Sequence, residues 1–254
     1  MKTTLLMKRI LLLAGVLVML TAARVVFGQT PEGVITYEVK INMHRRLPPE
    51  RAEMKSMIPE FRVIKQQLFF RGTESLYKPL IEDEEEDMQS SNGGMRMVIK
   101  QPNIEIYLNQ PDAQVITKQE FFGKEYLITD TLKMSPWKFG AETKTIAGYE
   151  CRQAYYTDTD PRGQKVEVTA WFTDKLRPFL GPDRYFSLPG AVLAVDINNG
   201  ERVTLAKTIE LRELKKNEFK IPSGGIKTTQ TEFRKIMDEQ MRKMGGSNGI
   251  FIRN

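Results

Sequence analysis

The chain has 254 residues, with 38 Lys and Arg against 32 Asp and Glu, one histidine and one cysteine. Four of the basic residues and no acidic one fall within positions 1–28, so the remainder carries 34 basic against 32 acidic residues, too even a balance for a nucleic-acid surface. A single cysteine, Cys151, permits no internal disulfide and no thiolate cage for a metal.

Positions 1–28 read as a secretory signal peptide. Lys2, Lys8 and Arg9 give a basic start, 10–20 is apolar, and Val26-Phe27-Gly28 offers a small-residue cleavage pattern ending at Gly28. The apolar run is shorter than the roughly 20 residues of a membrane span, and Arg24 interrupts it; a retained anchor is the competing reading. No cysteine lies near the cleavage point, which disfavours a lipid anchor. The expected location is the periplasm or the periplasmic face of the outer membrane.

Residues 29–226 read as one β-rich domain. Over 33–43, Ile35, Tyr37, Val39, Ile41 and Met43 alternate with Thr36, Glu38, Lys40 and Asn42, a strand with one buried and one wet face. His44, in the polar run His44-Arg45-Arg46, is expected in solvent, outside the usual context of a catalytic triad or a zinc site. A short helix follows from Pro48 to Met57, ended by Pro59. Positions 63–71 and 73–77 form a strand pair turning at Gly72. The acidic block 82–87 with its Ser/Asn/Gly tail reads as a loop; a cation site there is the sharper alternative, although no glycine spaces its oxygens as in an EF-hand.

Strand-like segments then recur at 95–100, 103–109, 113–121, 125–131, 137–139, 142–146, 149–157 and 166–173, with turn residues about every ten positions, the pattern of an antiparallel meander. Arg184-Tyr185-Phe186-Ser187-Leu188-Pro189-Gly190 is the stretch around which the domain is organised. Leu188-Pro189-Gly190 is a turn signal, with Gly190 expected at a backbone conformation that a Cβ resists. It feeds the apolar strand 192–197, which reads as buried on both faces. Gly181-Pro182 makes a second break, and Phe179, Tyr185 and Phe186 crowd between the two. Asn198-Asn199-Gly200 is a hairpin turn into 202–211, and Pro222-Ser223-Gly224-Gly225 is expected to end the sheet.

Residues 227–246 read as an amphipathic helix. Thr229-x-x-Glu232 is a capping box, Phe233, Ile236, Met237, Met241 and Met244 recur at helical spacing, and Gly245-Gly246 stops it. Its Met-rich stripe either docks on the domain or meets a partner or membrane surface. Residues 247–254 are expected to be a flexible tail. No phosphate loop, dinucleotide fingerprint or zinc spacing is present, and the carboxylates form no diagnostic pair.

The run Ser187-Leu188-Pro189-Gly190-Ala191-Val192 resembles the Gly-Leu-Pro-Gly-Leu-Ile signature of the GLPGLI family of secreted, Bacteroidetes-type envelope proteins, departing from it at Ser187, Ala191 and Val192. Gly33-Val34-Ile35-Thr36-Tyr37-Glu38, Glu74-Ser75-Leu76-Tyr77, the stretch from Lys144 to Ala154, Ala170-Trp171-Phe172-Thr173 and Gly181-Pro182 support the resemblance in the same order. It implies a mainly β fold, a strongly curved antiparallel sheet or partly open barrel, similar in outline to the LolA/LolB-type lipoprotein carriers. The family has no established activity, so the resemblance carries over no catalytic residues.

The expected function is non-enzymatic: an envelope protein that binds an apolar ligand, such as a lipid, or a partner segment on its curved sheet. An accessory subunit of an outer-membrane protein complex is the alternative, and a hydrolase with unrecognised carboxylates the third reading. Trp137, Trp171, Tyr185, Phe186, Leu188, Pro189 and Gly190 are the candidate structural or ligand-lining residues. No catalytic, cofactor or metal residue is assigned. Cys151 is expected as a buried packing thiol.

Overall fold

The computed structural model describes residues 32–47, 49–81, 102–159 and 163–243. The expected signal peptide, the acidic block 82–87, the strand over 95–100, positions 160–162 and the chain from Met244 onward lie outside the described residues.

The central strand β1 (Glu32–Asn42) pairs with β2 (Phe61–Arg71) on one side and with β11 (Arg202–Leu211) on the other, both antiparallel. Its alternation buries Ile35, Tyr37, Val39 and Ile41 as expected. Val34, on the other face, is buried as well, because Leu214 and Phe219 fold over it together with Phe69, Leu76 and Tyr107. From β1 the chain runs outward as a meander through β2, β3 (Glu74–Pro79), β4 (Ile104–Asn109), β5 (Gln114–Phe121) and β6 (Lys124–Thr131). It then begins again at the opposite edge with β7 (Lys138–Ile146). From there it works back through β8 (Tyr149–Thr159), β9 (Lys165–Thr173) and β10 (Ala191–Ile197) to β11.

That route dictates curvature. In the sheet order, ten strand spacings separate β6 from β7, roughly 48 Å along a flat sheet at about 4.8 Å each. The connection from Thr131 to Lys138 can span no more than about 25 Å, at roughly 3.5 Å per residue. The sheet must therefore curl until its two ends approach each other. β6 and β7 are not hydrogen-bonded, so the twelve strands of the described residues form a mainly β, strongly curved sheet that does not close.

Several local expectations change. The segments read at 137–139 and 142–146 are one strand, β7, with a register shift between Phe139 and Thr143 against β8. The sheet does not end at Pro222-Ser223-Gly224-Gly225. A twelfth strand, β12 (Ile226–Thr229), adds parallel to β6 and leads directly into helix α1 (Gln230–Lys243), so the expected boundary at 226/227 cuts through a strand. The helix between β1 and β2 is a 3-10 helix, Pro49–Ser56. His44 is half-buried rather than solvated, with Nε2 2.9 Å from the Ile58 carbonyl oxygen, tying the chain ahead of that helix to the chain just beyond it.

The capping box forms as read: the Glu232 N–H donates to Thr229 Oγ1, and the Thr229 N–H donates to Glu232 Oε2. Phe233 is buried against Tyr126 and Phe121, with Ile236 and Met237 beside it, so the first turns of the apolar stripe dock on β5 and β6. Among the described residues, no helix is long and apolar enough to cross a membrane.

Candidate functional site: an apolar groove at the anchor turn

The segment between β9 and β10 is long, and most of its second half, from Leu180 to Gly190, is buried. Leu180 is fully buried, and Tyr185, Phe186, Ser187 and Leu188 are nearly so. Backbone bonds knot it: the Val192 N–H donates to Leu180 O, the Phe179 N–H to Leu188 O, and the Tyr185 N–H to Pro182 O. Tyr37, from the central strand, donates its hydroxyl to Val192 O at 2.7 Å. The strand that follows is buried on both faces from Ala191 to Val195.

Gly190 is where the sequence reading gives the right residue and the wrong reason. Its φ is not in the left-handed region. The constraint is space: a Cβ would collide with the carbonyl of Thr173, the last residue of β9. The backbones approach closely because Ala191 pairs with Thr173 across the ladder.

Beside this turn lies a groove of 430 Å³. The 132–137 connection supplies one wall with Met134 and Trp137, β7 adds Phe139, and the anchor segment contributes Phe179, Leu188 and Pro189. The same connection that forces the sheet to curl thus carries Met134 and Trp137 to the anchor turn. Trp137 stands edge-on to Tyr156, with ring centroids 4.6 Å apart at 90°. Phe139 tilts against Phe172. Met134 is 63% exposed and Phe139 62% exposed, and both open apolar side chains line the same groove. Among the described residues no charged side chain lines it. Burial raises the phenol pKa of Tyr156 and of Tyr185 behind it, so both stay neutral.

The seven expected residues are not all brought together. Trp137, Leu188 and Pro189 line the groove, while Tyr185 packs behind it in the same cluster as Leu188 and Phe172. Phe186 and Gly190 are buried without lining it, Gly190 against the Thr173 carbonyl. Trp171 belongs elsewhere. Alternation along β9 turns it away from its neighbours Ala170 and Phe172, into the cluster of Cys151 and Leu193, with Lys144 Nζ 3.0 Å from its ring centroid. The rest of the lining includes Met134, Ser135, Phe139 and Ser187, which were not among the candidate residues. Ser187 lay inside the anchor motif, but its role shows only when the 132–137 connection meets it.

A larger hollow, of 680 Å³, lies between the ends of β2 to β4 and the 215–218 turn; Lys78, Glu105, Lys215, Lys216 and Glu218 rim it, and Lys78 donates to Glu218 O. Among the described residues no group of three or more His, Cys, Asp or Glu is placed to hold a metal ion.

No family model matches the chain, and no curated protein matches it. Solved structures do. A structure of PNGF-II in space group P21 is similar with a TM-score of 0.54 at 13% identity, covering 82% of this chain and 34% of that one. A second structure of PNGF-II, in space group C2, gives a TM-score of 0.52 at 15% identity, covering 82% and 33%. The likeness is one of fold, and this chain spans about a third of the length of those chains.

Proposed function

We propose that this chain is a non-enzymatic binding protein of the cell envelope, divergent from the GLPGLI pattern, that holds an apolar ligand in the groove at the anchor turn. The observation that supports this reading is the pairing of exposed Met134 and Phe139 with Trp137, Phe179, Leu188 and Pro189 around one uncharged groove. An apolar groove with few polar groups is what small-molecule sites are made of, and 430 Å³ falls in their usual range of about 300–1,000 Å³. The proposed location follows from the signal-peptide reading, so protein recovered from cells should begin near Gln29.

The test is titration of the mature protein with N-phenyl-1-naphthylamine, a dye that brightens in apolar sites. Wild type is expected to bind it saturably, and Phe139→Glu, a change at an exposed rim position, to weaken binding at least tenfold without lowering the melting temperature. Equal binding by both proteins would move the site elsewhere.

A further inference from the structure

We infer that the groove selects an uncharged acyl ester, with Ser187 donating a hydrogen bond to the ester carbonyl. This rests on the groove reading above and specifies its ligand. Ser187 is 5% exposed and forms part of the groove lining. Its Oγ accepts two hydrogen bonds, from the Ser135 N–H and from Trp137 Nε1–H, each at 3.1 Å. A serine hydroxyl has two acceptor lone pairs and one O–H donor. Both lone pairs are engaged, so only the O–H remains, and it has no acceptor among the described residues. Two donors pulling on the same oxygen also polarise that O–H, which makes it a better donor. Ser135, the other serine of the lining, has its hydroxyl engaged with Tyr156, so among the described lining residues the Ser187 O–H is the hydroxyl donor left without a partner.

Three ligand chemistries fit this less well. An alkane leaves the buried donor unmet. A carboxylate would bury its charge where, among the described residues, no Lys or Arg lines the groove to offset it. A peptide segment would bring one N–H for each carbonyl, and the lining's side chains provide no matching set of acceptors. A neutral ester on an alkyl chain supplies an acceptor, no donor and no charge.

The experiment measures displacement of bound N-phenyl-1-naphthylamine from the mature protein by methyl decanoate, decanoate and undecane. Methyl decanoate is expected to compete roughly 3–10-fold better than undecane, the range of one hydrogen bond, and decanoate less well than the ester. Ser187→Ala should erase the advantage of the ester over undecane. That variant orphans two N–H groups, so the wild-type order, which needs no variant to fold, decides by itself. Equal displacement by ester and alkane, or stronger displacement by decanoate, overturns the ester assignment and leaves the apolar groove standing. Failure of all three to displace the dye overturns the groove reading, and the ester assignment with it.

Discussion

Gly190 and Leu188 do different jobs in one turn. Gly190 leaves room for the Thr173 carbonyl, so Gly190→Val must push two paired strands apart, and the expected cost is roughly 1–3 kcal/mol, measured by thermal or urea unfolding. Leu188 is 2% exposed and packs with Phe172, Tyr185 and Val192. Leu188→Ala is expected to cost about 2–5 kcal/mol, as a core residue does, although one edge of it meets the groove. The turn was legible in the sequence because proline and glycine announce it. The reason for the glycine was not, because the carbonyl it accommodates comes from the preceding strand. Cys151 was legible as a packing residue. It is fully buried, with Sγ 3.5 Å from Tyr149 O, and burial pushes its thiol from 9.0 up to about 11. The folded state thus holds the proton more tightly than the unfolded chain. The thiol's contribution is intact below pH 9 and is lost as pH rises toward 11. Melting temperatures at pH 8 and pH 10.5 should fall further for wild type than for Cys151→Ala, and a bulky thiol reagent should leave the native protein unlabelled at pH 8.

The segment after β11 is a cover held by the ion pairs of Arg212 and by a bond to Glu32. Arg212 donates from both terminal nitrogens to the Glu218 carboxylate, each at 2.8 Å, and from Nε to Glu210. The Leu214 N–H donates to Glu32 Oε2, which sets Leu214 and Phe219 over Val34, Phe69 and Tyr107. The Arg212 fork holds the Glu218 carboxyl down at about 2, below its ordinary 4.5. This depressed value stabilises the fold above pH 4.5, and the contribution is lost as pH falls toward 2. Glu218→Gln should melt lower than wild type at pH 6, and the gap should narrow by pH 2.5. At the far edge, Thr229→Ala removes the hydroxyl that caps α1 and is expected to cost about 1 kcal/mol. The capping box and the apolar stripe were readable because both are local patterns. Strand β12 was not, since its four residues pair in parallel with β6, far away in sequence, and no hairpin signal marks such a strand. β7 was split in the reading because Gly140-Ala141 falls where the strand bulges.

Alternation and turn spacing made the mainly β, antiparallel character readable, and the connection between β6 and β7 makes curvature obligatory once the strand order is known. The strand order itself was not readable: nothing local says that β11 returns to β1 or that the chain restarts at the opposite edge. The candidate site suffered from the same limit. Both tryptophans looked equivalent in the sequence, and only the register of β9 separates them, Trp137 in the groove and Trp171 in a different cluster. That separation gives the central claim its most direct measurement. The chain has two tryptophans, so Trp171→Phe leaves Trp137 as the sole indole reporter and Trp137→Phe leaves Trp171. Both variants are titrated with methyl 10-bromodecanoate, whose bromine quenches indole fluorescence on contact. Saturable quenching of the protein that retains Trp137, with little quenching of the protein that retains Trp171, is the expected result. Equal quenching of the two, or preferential quenching of Trp171, would contradict an apolar ligand site at the anchor turn.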